Sequence, residues 1–106
     1  MNAEEFVTLW KTEKDNLLSL YIEGEESQVS HLIKSMNLSG ENMDTMKDIV
    51  NTILTDSFYS LLLGLDGCSQ IGGIQQEYKI HDESGQLISN SGDLEEFAWE
   101  KFHCED

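Results

Sequence analysis

From Met43 to Leu65 the chain repeats its apolar residues at helical spacing without interruption. Met43, Met46, Ile49, Val50, Ile53 and Leu54 keep to one face, and from Phe58 onward apolar residues spread almost all round. A helix that is hydrophobic on every side is usually the buried centre of its domain. The rest of the chain is therefore expected to wrap around the C-terminal half of this segment. No proline occurs anywhere in the 106 residues, so nothing forces a kink or an early stop.

The flanking segments read as shorter elements. Asn2 and Glu5 form a capping box, which predicts a first helix running to about Ile22, with Gly24 ending it. Its buried stripe is expected to be Phe6, Trp10, Leu17 and Tyr21, flanked by Val7, Leu9, Leu18 and Leu20. A second amphipathic helix follows from Glu26 or Ser27 to about Asn37, on Val29, Leu32, Ile33 and Met36. The glycine-rich stretch 64–73 reads as a helix C-cap and a tight turn.

Beyond it the period changes to two. Ile74, Gln76, Tyr78 and Ile80 alternate with Gln75, Glu77 and Lys79, as in a strand with one buried face. Asp82-Glu83-Ser84-Gly85 is a turn, and residues 86–90 return as a second strand. Asp93 and Glu96 read as a second capping box, opening a last helix that buries Leu94, Phe97, Ala98 and Phe102. The expected architecture is a single α+β domain over residues 1–106. It is mainly helical, with three N-terminal helices, a β-hairpin at about 74–90 and a C-terminal helix. A lone hairpin is marginal in water, so it must pack on the helices or extend its edge with another chain, and the latter predicts a homodimer or a partner that adds a strand.

Charge sets the class of partner. Asp and Glu total 21 against 6 basic residues, all of them Lys, for a formal net charge of −15. So few cations cannot neutralise a phosphate backbone, so no nucleic acid is expected as a direct partner. Anionic membranes are disfavoured for the same reason. A basic protein would instead be steered in by the field, although acidic surfaces also serve solubility alone. The longest apolar run, around Leu61–Leu65, falls far short of the ~20 residues of a membrane span. The first residues, Met1-Asn2-Ala3-Glu4-Glu5, are acidic where a secretory signal is basic. A cytoplasmic protein with Cys68 and Cys104 as reduced thiols is expected.

The residues capable of chemistry do not assemble into a catalytic pattern. The 64–73 segment lacks the Gly-Lys-Ser/Thr ending of a phosphate loop and leads into a strand. Asp66 and Glu77 have the spacing of the first and twelfth ligands of a calcium loop, but Cys68, Gln70 and Ile71 occupy its third, fifth and sixth positions. Cys68, His81, His103 and Cys104, with His31 in reserve, include no pair at the short spacing of a zinc site. Cys68 follows Asp66 at a helix C-terminus, where dipole and carboxylate both oppose thiolate formation. The acid pairs Glu4-Glu5, Glu25-Glu26, Asp82-Glu83 and Glu95-Glu96 fall at helix starts or turns, where they favour a helix dipole or face water. No catalytic residue, metal or cofactor is expected, and the protein reads as a non-enzyme.

What remains is binding. Glu25, Glu26, Asp82 and Glu83 are accessible at turns. Trp99 falls off the buried stripe of the last helix, beside Glu95, Glu96 and Glu100, and an exposed Trp ringed by acids can anchor a basic partner. The expected function is an acidic protein-binding module acting on a basic protein. Its most concrete forms are an immunity or antitoxin-type inhibitor that covers a nuclease toxin and a nucleic-acid mimic. The alternative is a small homodimeric adaptor that uses the hairpin edge, with the acidity serving solubility only.

Overall fold

A computed structural model describes residues 1–89 and 92–104. The chain forms α1 (Ala3–Ile22), α2 (Gln28–Ser35) and α3 (Gly40–Leu65), a tight antiparallel hairpin of β1 (Gln70–Ile71) and β2 (Ile74–Gln75), then α4 (Asp93–Trp99), which runs into a π-helical turn over Glu100–Cys104. Three N-terminal helices, a hairpin and a C-terminal helix are the architecture expected of the sequence.

Local chemistry starts three of the four α-helices. The Asn2–Glu5 box is formed: Asn2 Oδ1 accepts from the Glu5 N–H at 2.8 Å, and Glu5 Oε1 accepts from the Asn2 N–H at 3.2 Å. Ser27 Oγ accepts from the Ser30 N–H at 3.0 Å to start α2, and Ser39 Oγ accepts from the Asn42 N–H at 3.5 Å to start α3. The fourth start differs from expectation. The N-cap of α4 is Gly92, which has no side chain to offer, and Asp93 is already inside the helix. Asp66, the residue that ends α3, supplies the cap from a distance: its Oδ2 accepts from the Glu95 N–H at 3.1 Å.

The regular strand pairing lies earlier than the alternation at 74–80 suggests. Gln70 pairs with Gln75 and Ile71 with Ile74 around Gly72-Gly73. Both glycines have positive φ, at 63° and 85°, the conformation a two-residue hairpin loop demands. Ile71 lies over Gly64, where a Cβ would come within 2.4 Å of Ile71 Cγ1. Segments 80–82 and 86–88 still approach each other, through the His81–Leu87 bridge and the bond from Ile88 N–H to the Ile80 carbonyl at 2.7 Å. Among the described residues, which do not include Asn90 at the end of the expected second strand, their ladder goes no further because Ser89 intrudes. Its hydroxyl accepts from the Ile80 N–H and donates to the Tyr78 carbonyl, both at 2.9 Å, displacing strand–strand bonds. The expected buried face of 74–80 is only partly present: Tyr78 and Ile80 are half-buried, while Ile74 and Gln76 are exposed.

One core cluster joins the elements. Ala3 and Val7 of α1, Leu62 of α3, Ile88, Leu94 and Ala98 of α4, and Phe102 of the π turn form it. It sits where the start of α1, the end of α3 and α4 meet. The last helix buries its residues as the sequence stripe predicts, with Phe97 half-buried. The first does not. Its innermost residues are Ala3, Val7 and Lys14, and Leu9 and Leu20 are exposed. Lys14 is only 5% exposed; its stem is enclosed and its ammonium reaches Asp15 Oδ1 at 3.3 Å. In α2 only Ile33 of the apolar residues is buried, whereas Val29, Leu32 and Met36 face out.

The expectation that this helix is enclosed from Phe58 onward is met in large part, since Phe58, Tyr59, Leu63 and Leu65 are half-buried against the core, but the enclosure is not complete. In α3 only Leu62 and Gly64 are buried, and Ile49, Ile53 and Leu61 are exposed. The reason is length. A helix of 26 residues extends about 39 Å in a molecule measuring 47 × 29 × 25 Å, and its shorter neighbours cover one side.

Adjacent leucines provide a direct check. Leu62 is 0% exposed and Leu61 44% exposed. Leu62→Ala is expected to cost about 3–5 kcal/mol, and Leu61→Ala to stay within about 1 kcal/mol, read from urea denaturation midpoints at unchanged slope.

Candidate functional site

Seven-residue α4 turns Leu94 and Ala98 into the core. The same turn geometry places Glu95, Glu96, Trp99 and Glu100 together on its outer side, since they are three and four positions apart. Tyr59 approaches from α3, and Gly92 closes the end. These six residues line a cleft of about 440 Å³. Trp99 is 52% exposed. Its ring meets Tyr59 edge-on, with centroids 6.3 Å apart. The π turn brings His103 edge-on to Tyr59 at 4.4 Å and beside Trp99 at 5.1 Å. Three aromatic rings thus brace one another, and three carboxylates surround the exposed indole.

Acidic groups of the cleft and its border raise the titration of their neighbours. Burial first, then the Glu95 carboxylate and the Cys104 and Cys68 sulfurs, push the Tyr59 phenol above its ordinary value. Cys68 is pushed up to about 12, chiefly by its hydrogen bond to Glu95, then by burial and by the Asp66 charge. The Cys68 thiol donates toward Asp66 Oδ2 at 3.6 Å. The shift disfavours the thiolate, the direction its sequence position suggests. Both Cys68 and Cys104 are free thiols.

Of the seven residues expected to bind a partner, Glu95, Glu96 and Trp99 converge in the cleft. The other four lie elsewhere. Glu25 and Glu26 are exposed in the loop after α1, a helix about 30 Å long that starts at the core cluster near α4. Glu25 is engaged by α2: Lys34 Nζ stands 3.9 Å from its Oε1, and its carbonyl is hydrogen-bonded to His31 Nε2. Asp82 is engaged too. It accepts from the Met1 ammonium at 2.6 Å, the Ser84 hydroxyl at 2.7 Å and the Ser84 and Gln86 N–H groups at 3.0 Å. Those bonds, the Met1 ammonium foremost, hold its carboxyl well below the usual range. Glu83 beside it is exposed.

Two contributors escaped the sequence reading. Tyr59 looked like one more apolar residue of α3, and only the approach of α4 shows that it faces the cleft. A second groove, of about 300 Å³, is lined by Phe6, Leu9, Trp10, Glu13 and Phe58. There Trp10 meets Phe58 edge-on at 5.5 Å, and Phe58 packs on Phe102 at 6.4 Å.

Among the described residues no helix is long and apolar enough to cross a membrane. Comparison with protein-family models, with curated proteins and with solved structures finds no match to this chain.

Two measurements check the electrostatics. At pH 8 iodoacetamide is expected to modify Cys68 at least about tenfold more slowly than a free cysteine, and Glu95→Gln to speed it, as followed by peptide mass mapping. For Asp82, a depressed carboxyl stabilises the fold above its unfolded value near 3.8, and that contribution disappears as pH falls through the folded value. Asp82→Asn should therefore lower the melting temperature at pH 7, with the gap to the parent protein closing steadily below about pH 4.

Proposed function

We propose that the protein is a non-enzymatic, acidic binding module for a basic protein, and that the cleft of Tyr59, Glu95, Glu96, Trp99 and Glu100 receives a Lys or Arg side chain of that partner. The half-exposed Trp99 amid three carboxylates carries the reading. An indole face attracts a cation, the carboxylates neutralise it, and Tyr59 and His103 restrain the ring before anything binds. Restraint in the free state reduces the entropy lost on docking.

The overall charge supports the same reading. With 21 acidic residues and 6 lysines, at least 15 carboxylates have no lysine of their own. The resulting field speeds encounter with a cationic surface and orients it. An immunity or antitoxin-type inhibitor and a nucleic-acid mimic are the two forms of module that use such a field. The homodimeric adaptor has less to build on, because each strand of the hairpin offers only two paired residues.

The test is titration with a short Lys/Arg-rich peptide, followed by NMR chemical-shift mapping at low and high salt. Shifts should centre on Trp99 and Tyr59. Trp99→Ala should weaken binding about tenfold or more, and the combined change of Glu95, Glu96 and Glu100 to Gln should remove most of its salt dependence. Changing Glu25 and Glu26 to Gln should alter affinity by less than about twofold. Equal binding by all these variants would refute the cleft as the docking point.

A further inference from the structure

The geometry points to a binding site for a borderline-soft divalent cation, of the Zn²⁺ type, at the joint of α3 and α4, formed by the carboxylates of Asp66 and Glu95 and the sulfur of Cys68. One ligand atom from each lies within 4.8 Å of the other two. The Cys68 Sγ to Asp66 Oδ2 separation is 3.6 Å. Zinc bonds of about 2.3 Å to sulfur and about 2.1 Å to oxygen, at a tetrahedral angle, set that edge at about 3.6 Å. Two ligands thus already stand at the required spacing. Glu95, exposed in the first turn of its helix, is the third member, with one carboxylate oxygen within 4.8 Å of the other two ligand atoms.

A separate feature of this joint also points to a cation. Asp66 is only 6% exposed. Its carboxylate is aimed into the cluster, since Oδ2 accepts from both the Glu95 N–H and the Cys68 thiol. Its other oxygen, Oδ1, is buried and has no hydrogen-bond partner among the described residues. A buried acceptor left unmatched is costly and rare in folded proteins. A cation held across both oxygens of this carboxylate would give Oδ1 the interaction it lacks.

The donor set selects the ion. Calcium and magnesium take oxygen ligands throughout, whereas a thiolate with two carboxylates suits zinc and its neighbours. Binding forms an S–M bond, breaks the Cys68 S–H bond and releases that proton to solvent, with no change of oxidation state. Three anionic ligands leave the dication with one net negative charge. Cys68 and Glu95 are both exposed, so the ion enters from solvent and the fourth position takes water. This site does not depend on the docking reading, with which it shares only Glu95.

The test uses the full chain freed of metal. Co²⁺ is added while the thiolate-to-cobalt band in the near ultraviolet is followed, and Zn²⁺ binding is measured by calorimetry. One ion per chain is expected, with a cobalt–thiolate band that Zn²⁺ abolishes and excess Ca²⁺ or Mg²⁺ does not. Cys68→Ser should eliminate the band and weaken Zn²⁺ about tenfold or more, while leaving peptide binding at Trp99 unchanged. Asp66→Asn keeps an acceptor for the Glu95 N–H and should also weaken Zn²⁺, at unchanged far-ultraviolet circular dichroism. Cys104→Ser should retain the band and the affinity. Absence of the band in the parent chain, its survival in Cys68→Ser, or its loss in Cys104→Ser overturns the site.

Discussion

The carboxylate of Asp66 couples the two halves of the molecule. It ends α3 and accepts from the Glu95 N–H at the first turn of α4. Gly92 has no side chain to cap that helix, so the start of α4 depends on a residue 29 positions away. Once α4 is placed, Leu94 and Ala98 enter the core, Trp99 comes against Tyr59, and Glu95 faces Cys68. The Trp99 cleft and the Asp66–Cys68–Glu95 cluster are thus two faces of one contact.

Excess negative charge acts on this arrangement in two ways. Where carboxylates face water, as at Glu83 and Glu96, repulsion is screened over about 8–10 Å and the molecule tolerates it. Where they share a partly enclosed site, as Asp66 and Glu95 do around Cys68, their field is stronger, and the raised thiol value registers it. Both settings favour something positively charged. On the readings proposed above, the open cleft would take a bulky organic cation above an indole, and the joint a small inorganic one.

Shape follows from unequal helix lengths. A radius of gyration of 16.2 Å exceeds the ~13 Å of a compact chain of about 100 residues. The C-terminal end of α3 carries the core, while its N-terminal part, with Ile49 and Ile53, is covered on one side only. The hydrophobic pattern of α3 was therefore legible as a helix but misleading as a measure of burial. Periodicity reports which residues share a face, and it does not count the neighbours available to cover that face.

Helix existence and most boundaries were settled by the amino-acid sequence, because caps such as Asn2 with Glu5 and Ser27 with Ser30 act across three residues and need no distant partner. The net charge, and the position of Trp99 off its buried stripe, were equally local facts. Tertiary structure alone decided that Leu62 is enclosed and Leu61 is not, that Lys14 lies inward, and that Ser89 interrupts a ladder which alternation had favoured. It also decided that Tyr59 joins Trp99 and that Asp66, Cys68 and Glu95 meet. Each of these depends on where helices cross, and crossing is set by side-chain packing between segments far apart in the chain, information that no short window of residues contains.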